Sequence, residues 1–174
     1  MNVSPKQNIN ININDIDALV FDFDGVLTNN LVHLDQDGKE YVSCSRGDGL
    51  AFDVLRKLNK PAYILSTEIN PIVKARANKL KVPALQGVND KAKTLSLLME
   101  EQKYNLSKVM YVGNDLNDYE AMLICGFSAC PADSHKKIKS ISNIHLQTNG
   151  GNGVVRELLE EVLGVDFIKI LFDK

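Results

Sequence analysis

Short apolar runs and longer amphipathic stretches alternate along this chain. The runs Ala18–Asp22, Ala62–Ser66, Ala84–Gln86, Lys108–Gly113, Phe127–Cys130 and Asn143–Gln147 are rich in strand-forming residues and read as strands. Between them apolar residues recur at helical spacing. In Leu50–Leu58 the residues Leu50, Ala51, Val54, Leu55 and Leu58 share one face, with Asp53, Arg56 and Lys57 opposite. The same reading gives helices over Pro71–Leu80, Lys91–Gln102, Asn117–Cys125 and Val154–Leu163, and Pro71 suits a first helical turn. This alternation predicts an α/β fold, a doubly wound parallel sheet with helices on both faces.

One segment breaks the rhythm. In "NNLVHLDQDGKEYVSCS", Asn29 to Ser45, two strand-like pieces flank "DQDG", whose Asp-Gly pair favours a tight turn. A β-hairpin flap is therefore expected beyond the first strand, ahead of a helix starting near Asp48. No insertion is large enough for a cap domain. The alternation at Asn8–Asn14 reads equally as a weak edge strand or a loose tail. We take residues 1–14 as a flexible tail and 15–174 as one domain.

Composition narrows the partners. A net charge of −2 with no clustered basic footprint argues against nucleic acid or an anionic membrane surface, and "HKKIK" (His135–Lys139) reads as a solvated helix face. No apolar stretch approaches the ~18 residues of a membrane span, and the first residues lack a signal-peptide pattern. Cys44, Cys125 and Cys130 show no zinc spacing, and Cys125 and Cys130, in apolar surroundings, read as reduced core thiols, so a cytoplasmic setting is expected. His33, His135 and His145 are isolated and read as surface or structural.

The chemistry gathers where strands stop. "VFDFDGVLT" carries Asp22 and Asp24 at the end of the first strand; the second predicted strand ends in Ser66 and Thr67. Lys91 opens a helix, and "GNDLND" follows the "VMYV" run with Asn114, Asp115 and Asp118. In a parallel sheet these tips share one rim, the usual place for a ligand. Two carboxylates ~4 Å apart repel by roughly 4 kcal/mol at an effective dielectric near 20. Mg²⁺, a hard cation satisfied by one or two carboxylates plus phosphate oxygens and water, would remove that penalty. With Lys91 and the Ser66 hydroxyl, the rim is suited to a phosphate monoester dianion.

These motifs, in this order from about Asp15 onward, resemble the haloacid dehalogenase-like (HAD) phosphatases, and the hairpin resembles the flap of that family. "QDGKEYVSCSRGDGLAFDVLR", "PALQGVNDK", "PADSH" and "GGNGVVRE" are similar to the capless subgroup of 3-deoxy-D-manno-octulosonate 8-phosphate phosphatase. "SCSRGDG" and "STEINP" lean toward the related domain of N-acylneuraminate cytidylyltransferases. The resemblance implies a HAD-like Rossmannoid fold with Asp22 as nucleophile, Asp24 as general acid and base, and Lys91 as charge stabiliser. Ser66, Thr67, Gly25 and Thr28 would line the phosphate pocket. Arg46 and Asp48 are candidates for substrate or flap contacts, with an N-cap role equally open to Asp48. Mg²⁺ would be held by Asp22, by the Asp24 backbone, and by Asn114 or Asp115, with Asp118 in support. Asn114 departs from the Asp usual at that position.

The implied function is Mg²⁺-dependent hydrolysis of a small-molecule phosphorylated sugar acid of eight or nine carbons. Four subunits would form a homotetramer in which flaps close neighbouring pockets. The alternative is a non-catalytic module that supports assembly of a cytidylyltransferase system. A receiver domain fits poorly, because the DxD pair is followed by a hairpin.

Overall fold

The structure is a computed structural model that describes residues 11–173. Its strands are β1 (Ala18–Phe21), β2 (His33–Leu34), β3 (Glu40–Tyr41), β4 (Ala62–Leu65), β5 (Ala84–Leu85), β6 (Val109–Val112), β7 (Phe127–Cys130) and β8 (Ile144–His145). Its helices are α1 (Arg46–Lys57), α2 (Ile72–Leu80), α3 (Lys91–Gln102), α4 (Tyr119–Ile124), α5 (Lys136–Ile141), α6 (Val154–Glu157) and α7 (Phe167–Phe172). Six strands make one sheet in the order β5-β4-β1-β6-β7-β8, every pair parallel. The chain winds outward from β1 to β5, then crosses back to β6. That reversal beside β1 opens a crevice at the carboxyl ends of β1, β4 and β6.

The strands are apolar on both faces because both faces are covered. Leu19 and Phe21 of β1, with Met110 and Val112 of β6, pack in the layer that holds α1, α2, α6 and α7. Ala18, Val20, Val109 and Tyr111 point the other way, toward α3, α4 and α5. This is the doubly wound α/β arrangement expected, and among the described residues no cap domain interrupts it.

Some elements differ from the sequence reading. α1 begins at Arg46 rather than near Asp48, because Ser45 caps it by accepting the Gly47 N–H at 3.1 Å. α5 forms within the basic cluster by burying Ile138 alone, and α7 buries Phe167. Each is too short to repeat an apolar period that a sequence could reveal. Past Glu157, α6 widens into a π-helical turn over Leu158–Val162. Within the segment expected as a tail, Ile11 is buried in the core and Asn12 caps a 3₁₀ turn at Ile13–Asp15. The rest of that segment lies outside the described residues. Among the described residues, no helix is long and apolar enough to cross a membrane.

The flap is the antiparallel pair β2–β3. Asp35 shapes its tip: Oδ1 accepts the N–H groups of Asp37 and Lys39, both at 2.9 Å, and Gly38 takes φ +75°. Thr28 and Cys44 bridge its base, and Asn70 Nδ2 donates to Glu40 Oε2 at 2.9 Å. Leu31, Val32, Leu34 and Tyr41 are all exposed on it.

The Phe52 ring meets Phe21 edge-on, 5.4 Å between centroids, and both residues are fully buried. Phe52→Ala is expected to cost about 3–5 kcal/mol, read as a lower urea midpoint with an unchanged slope.

Candidate active site

β1 hands its last ladder bond to Asp22, whose N–H reaches Val112 O at 2.9 Å. Beyond it the backbone opens into a wide turn over Phe23–Leu27. Asp22 Oδ1 accepts the Phe23 N–H at 2.7 Å, so the carboxylate is pinned at the strand tip. Gly25 adopts φ +83°, and a Cβ there would lie 1.9 Å from Asn114 Nδ2. Only glycine meets both demands. Thr28 is fully buried: its hydroxyl accepts the N–H groups of Gly25 and Asn30 at 3.2 Å and lies 3.5 Å from Asp24 Oδ1. It latches the turn rather than facing the pocket.

Lys91, the first residue of α3, is 3 % exposed. Its Nζ lies 2.8 Å from Asp22 Oδ1 and 2.7 Å from Asp118 Oδ1. Asp118 also accepts the Tyr111 hydroxyl at 2.9 Å and the Asn114 and Asp115 N–H groups at 2.9 and 3.3 Å. Two buried carboxylates therefore share one ammonium, one positive charge short. Burial, then the Asp118 charge, push the Asp22 carboxyl well above the usual range, with Lys91 opposing. Burial by itself would lower the Lys91 pKa, but the two carboxylates raise it overall, so the ammonium stays charged.

Asp24 is half-buried, and its carboxyl is raised by burial first and then by the Glu68 charge, against the pull of Lys91 and Thr28. Ser66, buried at the end of β4, accepts the Glu68 N–H at 3.1 Å on its hydroxyl oxygen, which leaves the hydroxyl hydrogen free to donate. Thr67 is exposed, and Asn117 Nδ2 stands 3.5 Å from its hydroxyl.

A cleft of about 320 Å³ is lined by Asp22, Asp24, Asn30, Thr67, Asn114, Asp115, Leu116 and Asn117. A larger one of about 660 Å³ shares Thr67, Leu116 and Asn117 and runs past Lys91 to Lys137. The fold thus gathers Asp22, Asp24, Gly25, Ser66, Thr67, Lys91, Asn114, Asp115 and Asp118 at one rim. Two candidates stand elsewhere. Arg46 is exposed in the first turn of α1. Asp48 is buried and turned toward α6, its Oδ1 accepting the Val155 and Arg156 N–H groups. Sequence reasoning passed over Asn30, Asn117 and Tyr111. Asn30, at φ +61°, had a signal in its residue type, since Asn tolerates that region. Tyr111 looked like one more apolar strand residue.

The polar inventory suits a hard cation. Asn114 Oδ1 is buried without a hydrogen-bond partner, an uncommon condition for an amide oxygen. Asp115 is exposed, and its Oδ1 is taken by the Leu116 N–H at 2.7 Å. Among the described residues no group of three His, Cys, Asp or Glu side chains assembles for a metal. A donor set of carboxylate and amide oxygens fits Mg²⁺ better than zinc.

A capless doubly wound sheet with paired aspartates at its first strand tip, an interior lysine and an acidic loop after β6 is a hydrolase architecture. The family profile described as haloacid dehalogenase-like hydrolase matches residues 66–158, and the chain belongs to that family as a phosphatase of its 3-deoxy-D-manno-octulosonate 8-phosphate phosphatase-like subgroup. A crystal structure of a HAD family hydrolase from Streptomyces avermitilis superposes with TM-score 0.89 at 41% identity, covering 92% of each chain. The 3-deoxy-D-manno-octulosonate 8-phosphate phosphatase of Moraxella catarrhalis, solved with a magnesium ion, phosphate and KDO, gives 0.83 at 27%, covering 87% of this chain and 88% of that one. N-acylneuraminate cytidylyltransferase A of Danio rerio is 30% identical over 149 residues; the match takes in 83% of this chain and 34% of that protein.

The buried charge excess gives a stability prediction. A carboxyl whose folded pKa lies above its unfolded value binds more protons when folded, so its contribution to stability falls as pH rises between the two. Asp22→Asn removes that charge and leaves Lys91–Asp118 a neutral pair. At pH 7.5 with chelator present, the variant should be more stable than wild type by on the order of 1 kcal/mol, read by thermal unfolding. Equal or lower stability would show that the pocket carries no charge excess.

Proposed function

We propose that the chain is a Mg²⁺-dependent phosphatase acting on a phosphorylated sugar acid through an aspartyl-phosphate on Asp22. The observation that carries this reading is the shared Lys91 between Asp22 and Asp118, beside an orphaned Asn114 amide oxygen. Asp22 Oδ2 and Asn114 Oδ1 would hold the cation with the Asp24 backbone carbonyl. When bound, Mg²⁺ supplies positive charge facing the non-bridging phosphoryl oxygens.

The chain's own residues do the rest. An Asp22 oxygen bonds to phosphorus as the phosphorus–ester oxygen bond breaks, and Asp24 gives its proton to the departing sugar oxygen. Burial and the Glu68 charge raise the Asp24 pKa, which favours its protonated, donating form. Asp24 then takes a proton from water, whose oxygen attacks phosphorus, and the bond to Asp22 breaks to release phosphate. Ser66 donates a hydrogen bond to a phosphoryl oxygen, and Lys91 offsets the charge gathered there. Asp118 and Tyr111 hold Lys91 in its rotamer.

The wider cleft past Thr67 leaves room for a sugar of eight or nine carbons. The relatives named above support that substrate class. With Leu31, Val32, Leu34 and Tyr41 exposed on the flap and Ile69 exposed nearby in sequence to Asn70, where the flap is tied, a homotetramer that buries them is our reading of the assembled state. Light scattering should then return four chain masses; a monomer would leave the flap without a neighbour.

Two observations favour a second reading, an assembly module without turnover: Asn114 brings no charge to the cation site, and the Danio rerio relative carries its matching segment within a cytidylyltransferase. Phosphate release from 3-deoxy-D-manno-octulosonate 8-phosphate, and from nine-carbon sugar-acid 9-phosphates, separates the two. Turnover should require Mg²⁺, stop with chelator and be abolished by Asp22→Asn. Asn114→Asp should lower the Mg²⁺ concentration for half-activation by about tenfold, since an added ligand charge tightens such sites. Equal release by wild type and Asp22→Asn would favour the assembly module.

A further inference from the structure

Three carboxylates hold the loop between β8 and α6. Glu157 accepts the N–H groups of Gln147 and Thr148, each at 2.7 Å, one on each oxygen. Asp133 Oδ1 accepts the Gly150 N–H at 2.9 Å. Asp48, reaching across from α1, accepts the Val155 and Arg156 N–H groups at 2.9 and 3.1 Å on its Oδ1. Asp48 is 1 % exposed, and its other oxygen is buried without a partner. Burial pushes its carboxyl up to about 6, against those backbone bonds and Arg76 of α2. A buried carboxylate left half-satisfied costs stability, so its place here calls for a reason beyond packing.

The reason lies on the far side of the loop. The Gly151 N–H donates to Val26 O at 3.0 Å, inside the turn that carries Asp22 and Asp24. A Cβ on Gly150 would sit 2.3 Å from Gly25 O, and one on Gly151 would sit 2.4 Å from Asn29 N. The glycine loop therefore lies against the back of the catalytic turn, backbone to backbone. Cys44, one residue before the cap of α1, bridges to Thr28 of the same turn. Asp48 thus ties together the helix that follows the flap and the loop that backs the turn.

We propose that Asp48 is a positioning residue for phosphoryl transfer: by capping α6 it fixes the Gly150–Gly153 loop, which in turn holds the Asp22–Thr28 turn in its reactive shape. This rests on the phosphatase reading above but makes a separate claim about the turn. It predicts loss of chemistry with substrate binding kept, because a misplacement of the nucleophile by a fraction of an ångström acts on the reacting geometry.

The test uses the full chain with p-nitrophenyl phosphate and Mg²⁺. Asp48→Ala should lower kcat about tenfold or more with KM within about threefold. Asp48→Asn, which keeps an oxygen for the two N–H groups, should restore most of that loss. Gly151→Ala, at the other end of the linkage, should give the same split. The double variant Asp48→Ala, Gly151→Ala should lose little more than the worse single one, because both act through one loop. Amide hydrogen exchange supplies a readout independent of turnover: protection at residues 23–30 should drop in Asp48→Ala and return in Asp48→Asn. Exchange at 23–30 unchanged in Asp48→Ala and Gly151→Ala would overturn the proposal even if wild type has no phosphatase activity. So would a full kcat in Asp48→Ala, or losses that simply add. If Asp48→Ala does not fold, the Gly151→Ala kinetics and exchange decide in the same sense.

Discussion

One buried ammonium facing two buried carboxylates is the interaction on which the rest depends. Lys91 contacts Asp22 and Asp118 at 2.8 and 2.7 Å, and all three side chains are almost wholly buried. Such a group is stable only while its remaining negative charge is answered, by a proton or by a cation. The proposed mechanism uses Asp22 ionised beside an anionic phosphoryl group, and for that chemistry the fold would keep a charge arrangement that is poor for stability. The donors around Asp118, from Tyr111 and two backbone N–H groups, keep the lysine from relaxing onto one partner.

The same pressure explains the glycines near the site. Gly25 lets Asn114 approach the turn, and Gly113 makes room for the Asp118 carboxylate, which a Cβ would meet at 2.6 Å. Gly150 and Gly151 bring a second loop against that turn from behind. Side chains would hold these segments apart, and the carboxylates could not converge. Close backbone approach is what packs several polar segments around a strand tip without loosening it.

The hairpin that follows the Asp22–Thr28 turn is small. The flap has two residues in each strand and no apolar cover of its own. It is tied by the Thr28–Cys44 bridge at its base and by Asn70 to Glu40. A hairpin this short is marginal in isolation, so these ties to the rest of the chain matter to it.

Much of this was legible in the residues themselves. The periods of Ala18–Asp22, Leu50–Leu58 and Lys91–Gln102 mark buried strands and amphipathic helices because burial on one face or two imposes those periods directly. Asp22, Asp24 and Ser66 stand out as polar groups at the ends of apolar runs, and Lys91 and Asp118 as charged groups in the polar segments that follow later strands; parallel topology sends every strand's carboxyl end to one rim. What the sequence could not express is direction across space. Thr28, expected to help shape the pocket, hydrogen-bonds within the turn; Asp48, a candidate for substrate or flap contacts or for the cap of its own helix, accepts the N–H groups that open α6. Asn114 and Asp115 are neighbours in sequence, yet one oxygen is buried and unpartnered while the other is spent on a backbone N–H. Local pattern determined the elements and the kinds of chemistry available. Tertiary packing decided which oxygen faces the site and which holds the structure, since hydrogen-bond partners remote in sequence are set only when the layers close.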